Sequence, residues 1–236
     1  MKTNLLKFLL EILIIFIGIT LSFLFDEYRD DRKNAQARKE IVSSLLNDVE
    51  IKNNELNQDI LSVRNSINSI DTCLYFSQIG KEIPGDEIDE LIWSLSYDQG
   101  GFSTTTPSYI GLSSSGIWQQ LPDTLRREIF ELYNTNYSYV ENAILKSYEY
   151  VSFLKTHYFT ANHFNFYNAT TSNVKLESRE NSYVDQMRKS LKDPEFRSAI
   201  LVVRNERTKI IRYQLLAIEG STKLIAHLRG YLQKMG

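Results

Sequence analysis

The chain has 236 residues, 42% of them apolar and 24% charged, with a formal net charge of −2. This is a globular rather than a disordered composition, and it holds no basic excess to neutralise a run of phosphates, which argues against a nucleic-acid partner. The single cysteine, Cys73, excludes an internal disulfide and any multi-cysteine metal site, and 10 glycines with 4 prolines favour long helices over a turn-rich β fold.

The first predicted element is Leu5–Phe25, which reads as one membrane-spanning helix. Its 21 residues match the roughly 20 needed to cross a hydrocarbon core of about 30 Å. Only Lys7 and Glu11 interrupt it. The apolar run ends in Phe23-Leu24-Phe25 and passes into Asp26-Glu27-Tyr28-Arg29 with no small-x-small cleavage site, so the anchor is retained rather than removed as a signal peptide. Glu11, Gly18 and Ser22, spaced by seven and four, share one helical face. Gly18-x-x-x-Ser22 lets two helices approach closely in lipid, and Glu11 is costly against acyl chains. The face fits self-association or docking on a membrane-protein partner; the alternative is a Glu11–Lys7 pair at the interface with small residues that touch nothing. Arg29, Arg32, Lys33, Arg38 and Lys39 outnumber Lys2 and Lys7 before the span, which by the positive-inside rule puts the large domain in the cytoplasm.

No Gly or Pro falls between Thr20 and Ile79, so the helix continues as a stalk over 26–78. Ile41, Leu45, Val49, Leu56, Ile60, Val63, Ile67, Ile70 and Leu74 recur at steps of three, four or seven and form its apolar stripe. Lys52, Asn53, Asn54, Glu55, Gln58, Asp59 and Arg64 fill the other face. The stripe suits a dimer or trimer seam, or one strut of an intramolecular bundle; the long helical pattern that follows favours the bundle.

Ile79–Gly85 is the first break. Asp86, as N-cap, opens a short helix to Ser96. The loop from Asp98 to Pro107 lacks the lysine and spacing of a phosphate cradle, and Tyr109–Trp118 reads as another short helix. Pro122 and Asp123 open a long helix to about Asn162. Its tyrosines, among them Tyr133, Tyr137 and Tyr148, form an aromatic stripe that is either core or the lining of a pocket. A polar loop follows at about 164–181, with a sequon at Asn168 matching that at Asn136. Helices over Ser182–Leu191 and Glu195–Gln233 complete the chain, the last with Ile200, Val203, Thr208, Ile211, Leu215, Ile218, Leu224 or Ile225, and Leu228 inward.

Glu11-Ile12 … Gly18-Ile19 with Asp30-Asp31-Arg32-Lys33-Asn34, then Ser114-Ser115-Gly116-Ile117-Trp118 with Leu125-Arg126 … Leu132-Tyr133, then Asp193-Pro194-Glu195-Phe196-Arg197, carry a family resemblance. Together they resemble a large uncharacterised family of bacterial single-pass membrane proteins that carry a domain of unknown function. The resemblance implies a helical architecture in the bacterial inner membrane with the large domain outside the cytoplasm, against the charge count. It supplies no activity.

No catalytic constellation appears. His157 and His163 are six apart, not the four that stacks two metal ligands on one face, and His227 stands elsewhere. Acid pairs such as Glu87/Glu90 sit at a helix start, where the dipole favours them. No cofactor is expected. The expectation is an all-α chain: a transmembrane anchor over 1–25, a stalk and first bundle helix over 26–78, and the remainder of an antiparallel bundle over 79–236. Two functions fit it: a membrane-anchored interaction scaffold or accessory subunit whose partners are the lipid bilayer and itself or a membrane protein, and a membrane-tethered sensory bundle binding a ligand.

Overall fold

The computed structural model describes residues 2–96, 102–159 and 180–235; the side chains of 2–12, 96, 159 and 180–183 lie outside the description. The expected loop residues Asp98–Gly101, nearly all of the polar loop, His163 and Asn168 therefore fall outside the described residues. Everything described is helix, turn or connection, an all-α fold.

Helix α1 (Lys2–Gln78) is unbroken. It stops where Gly80 takes a left-handed φ of 66°, with Lys81 N–H reaching back to the Phe76 carbonyl at 3.2 Å, the closure that a glycine just past a helix end provides. The chain then turns back through α2 (Gly85–Ser96), α3 (Pro107–Ser114) and α4 (Ile117–Gln120). Asp86 lies in the first turn of α2 rather than capping it. Thr106 caps α3 by accepting from Tyr109 N–H at 3.3 Å, with Pro107 at the first position. The third strut is α5 (Asp123–Glu131), a π-helical turn (Leu132–Asn136), α6 (Tyr137–Leu154) and a second π turn (Lys155–Phe159). After α7 (Glu180–Ser190), Asp193 caps α8 (Pro194–Lys234), accepting from Glu195 N–H at 3.0 Å.

The struts alternate in direction. Asp71–Arg204 at 3.0 Å and Asp59–Gln214 at 2.6 Å set α8 antiparallel to α1. Cys73 Sγ donates to the Glu87 carbonyl at 3.3 Å, Ser108 bonds Asp48, and Arg38 reaches Gln120 at 3.3 Å, so α2, α3 and α4 descend along α1 in turn. Tyr137–Ser221 at 3.1 Å and the Tyr158–Phe196 ring contact at 5.2 Å run the third strut against α8. The result is an up-down-up-down four-helix bundle whose second strut is broken. Helix α7 closes the far end, where Arg188 gives two hydrogen bonds, at 3.0 and 2.8 Å, to the Ile83 carbonyl.

Two stripes differ from the sequence reading. On α1 the buried positions are Val42, Leu45, Val49, Lys52, Leu56, Ile60, Val63, Ser66, Ile70 and Cys73, so Lys52 sits on the core side and Ile41, Ile67 and Leu74 on its flank. On α8 the middle of the stripe is Arg207, Ile210, Gln214, Ala217 and Ser221, while Thr208 and Leu215 face solvent. Reading by apolarity drifts by one residue here, because three of the inward positions are polar.

The α5–α6 strut is dented toward α8 by its π turn, and Gly220 receives the dent. A Cβ on Gly220 would lie 2.7 Å from Asn136 Nδ2 and 3.3 Å from Leu132 Cδ1. The buried frame has a direct test in urea unfolding. Leu56→Ala is expected to lose about 2–5 kcal/mol, whereas Leu215→Ala should change stability by less than about 0.5 kcal/mol. Equal losses would show that the register on α8 is the one read from apolarity.

Candidate functional site: a polar ladder in the bundle core

The pair Asp59–Gln214 fixes the register of α1 on α8, and seven-residue steps along both helices generate its layers. They are Leu45/Leu228, Lys52/Ser221, Asp59/Gln214, Ser66/Arg207 and Cys73/Ile200. The terminal layers are apolar apart from the thiol; the three central ones are polar. Between them the alternate α1 positions, Val49, Leu56, Val63 and Ile70, are apolar and buried. The ladder thus places a cation, an anion and a cation in succession along the middle of the bundle.

The Lys52 layer is an aromatic box. Lys52 Nζ donates to the Ser103 carbonyl at 2.5 Å and lies 4.7 Å from the Phe102 ring centroid and 5.6 Å from that of Tyr137. Burial holds its pKa below the usual lysine value, against the pull of Glu55, Asp48 and Glu141. Tyr133 stacks on Tyr109 at 4.1 Å and meets Tyr137 edge-on at 5.2 Å. Tyr133 OH pairs with Thr106 Oγ1 at 3.2 Å and Tyr137 OH with Ser221 Oγ at 3.1 Å. Burial pushes the Tyr133 phenol up to about 12 and Tyr137 higher still. Of the tyrosines singled out in the sequence, the structure brings Tyr133 and Tyr137 together in this box, which Lys52 and Phe102 fill. Tyr148 lies eleven residues, about 16 Å, further along the strut.

In the next layer Gln214 donates to Asp59 Oδ2 at 2.6 Å. Burial raises the Asp59 pKa, and the Gln214 hydrogen bond only partly offsets it. Above it Arg207 is 2% exposed and gives Nη2 to the Ser94 carbonyl at 2.7 Å. Burial lowers its pKa to about 10. Cys73 ends the ladder as an inert thiol, pushed up to about 12 by burial, with the Glu87 charge adding to the effect.

Other singled-out residues stand apart. Nothing comes within 4 Å of a Cβ placed on Gly18, Ser22 is exposed, and the Glu11 side chain lies outside the described residues. His157 stacks on Phe153 at 4.1 Å. His227 Nδ1 and Lys223 approach Glu128 at 2.6 and 3.1 Å. Burial pushes Glu128 up, but these two partners outweigh it and hold the carboxyl below its usual range. Among the described residues no group of three His, Cys, Asp or Glu side chains is placed to hold a metal. Among the described residues, one cleft of about 280 Å³ opens beside the π turn and Gly220, and another of about 480 Å³ where Lys81, Lys189 and Lys192 surround the end of α7.

The ladder carries no nucleophile with an adjacent base. Its chemistry is that of charge and hydrogen bonding in a low-dielectric layer. The sequence did hold a signal for it: Lys52, Asp59 and Ser66 on α1, and Arg207, Gln214 and Ser221 on α8, each recur at seven. No family model matches the chain, nor does any curated protein or solved structure.

The raised pKa of Asp59 has a signed consequence. Its folded value exceeds the unfolded one, so its contribution favours the folded state below the unfolded pKa, near 4, and is lost as pH rises through the folded value. The stability difference between wild type and Asp59→Asn, followed by urea unfolding from about pH 4 to 7, should move in favour of the variant as pH rises. A difference that stays flat would mean that Asp59 is not shifted by burial.

Proposed function

We propose that the chain is a membrane-anchored helical scaffold or accessory subunit, with Leu5–Phe25 in the bilayer and the bundle held off its surface by the stalk. The observation that carries this reading is the bare end of α1. Leu13, Ile14, Ile15, Phe16 and Ile17 are consecutive and 53, 60, 62, 67 and 47% exposed. At 100° per residue, five successive positions cover the whole circumference of a helix. Ile19, Leu21, Phe23, Leu24 and Phe25 continue the exposure. A contiguous apolar surface of this kind marks a membrane or protein contact.

Among the described residues no helix is long and apolar enough to cross a membrane. Leu13–Phe25 alone is thirteen residues, about 20 Å of helix, and the full span of the proposal also needs Leu5–Ile12. The flank supports an interfacial boundary: Tyr28 lies under the Arg32 guanidinium at 4.8 Å, and Asp26 pairs with Arg29 at 3.3 Å. From Leu13 to Asn34 every residue of α1 is exposed, about 32 Å of helix before the bundle is reached. The Glu11/Gly18/Ser22 face is then the surface for self-association or a membrane partner. Kinship with the bacterial single-pass family belongs to the same reading, with the bundle on the periplasmic side of the inner membrane.

Expressed at full length, the protein should remain in the pellet when membranes are washed with alkaline carbonate. Ile14→Lys combined with Phe16→Lys should release it, since each central lysine costs about 2.5–3.5 kcal/mol on insertion. Wild type found in the wash would end the anchor reading. In mild detergent, mass photometry of wild type beside Gly18→Leu separates association from tethering. An oligomer that Gly18→Leu disperses supports the small-residue face, and identical monomers would reject it.

A further inference from the structure

Along the ladder, the Ser66/Arg207 layer differs from the other two in the kind of polar atom it leaves over. Among the described residues nothing accepts from Arg207 Nε or Nη1, and Ser66 Oγ, buried at the facing heptad position, has no partner. The two guanidinium N–H groups can only donate, and the hydroxyl has a hydrogen to give. The Lys52 layer has its carbonyl and rings, and the Asp59 layer supplies a carboxylate of its own. Gln214 Oε1, a leftover acceptor, belongs to that lower layer, one heptad or about 10 Å along the axis. Glu206 stands 100° round α8 from Arg207; its Oε1 is paired with Lys209 at 2.7 Å, and its Oε2, a second leftover acceptor, points from that other face.

A guanidinium this deep needs a counter-charge as well as acceptors. Among the described residues its one acceptor, the Ser94 carbonyl, is neutral. Water would satisfy N–H groups and leave the positive charge standing, whereas a monoanion answers both needs. The flanking positions on the two helices, Val63, Ile70, Val203 and Ile210, are all 0% exposed, so apolar side chains enclose the layer on both sides. We propose that this layer binds a small monoanion of halide size, held by Arg207 Nε and Nη1 and by Ser66 Oγ inside the bundle. The site is independent of the anchor, and stands or falls apart from the membrane reading.

The test uses the full chain in mild detergent, melted in sodium bromide replaced stepwise by sodium gluconate at constant ionic strength. Wild type should show a saturable rise in Tm with bromide, as expected for a ligand bound only by the folded state. Arg207→Met, which keeps the length of the side chain and removes the charge, should melt at the same temperature across the series. Should Arg207→Met fail to fold, Ser66→Ala carries the test: its half-saturating bromide concentration should rise about tenfold, the effect of one lost hydrogen bond to a charged group. Crystals soaked in bromide should show an anomalous peak within hydrogen-bonding distance of Arg207 Nε and Nη1. A Tm independent of bromide, a bromide dependence unchanged in both variants, or a peak elsewhere with only water at Arg207 would overturn the proposal.

Discussion

The antiparallel seam between α1 and α8 is the constraint on which the rest of the molecule depends. An all-apolar seam of this length would pack almost as well after sliding by one heptad, about 10 Å, or after pairing with a second copy. The polar layers remove that freedom. Asp59 meets Gln214 in a single register, and the outer pairs Asp71–Arg204 and Glu50–Arg229, at 3.0 and 2.8 Å, agree with it. Buried polar positions in a helical seam sacrifice some stability and penalise misaligned states, a role well attested for coiled coils.

The same layers account for the broken second strut. A buried lysine and a buried arginine need acceptors, and the carbonyls inside a continuous helix are already committed to their own chain. Lys52 takes the Ser103 carbonyl from the connection between α2 and α3, and Arg207 takes the Ser94 carbonyl from the last turn of α2. Both carbonyls exist because the strut stops being helical there; the last four carbonyls of any helix lack an internal partner. An unbroken helix in this position would cover more apolar surface and leave two cations without partners.

The third strut solves a different problem. Its π turn at Leu132–Asn136 admits one extra residue, which brings both Leu132 and Tyr133 into the core, and the bulk is absorbed where α8 carries Gly220. A glycine that dents the stripe when α8 is read alone becomes the point of closest approach between two helices. The apolar end of α1 is the counterpart of this fit: Leu13–Phe25 is exposed along its whole length and packs on no part of the bundle among the described residues.

The sequence by itself determined the helical class, the unbroken first helix and the breaks at Gly80 and Pro107, because these follow from local propensity and turn chemistry, whereas the caps at Thr106 and Asp193 were visible only in the structure. It also determined the ends of the seam, where inward positions are apolar. The middle of the seam was decided by tertiary structure. Lys52, Arg207 and Gln214 look like solvent-facing residues until a facing helix, a ring or a broken strut's carbonyl is there to meet them, so periodicity of apolarity places Leu215 inward and Lys52 outward. Hydrophobic patterning reports the average environment of a face, whereas the burial of a charge depends on the partner it finds, and that partner lies 51 to 155 residues away along the chain.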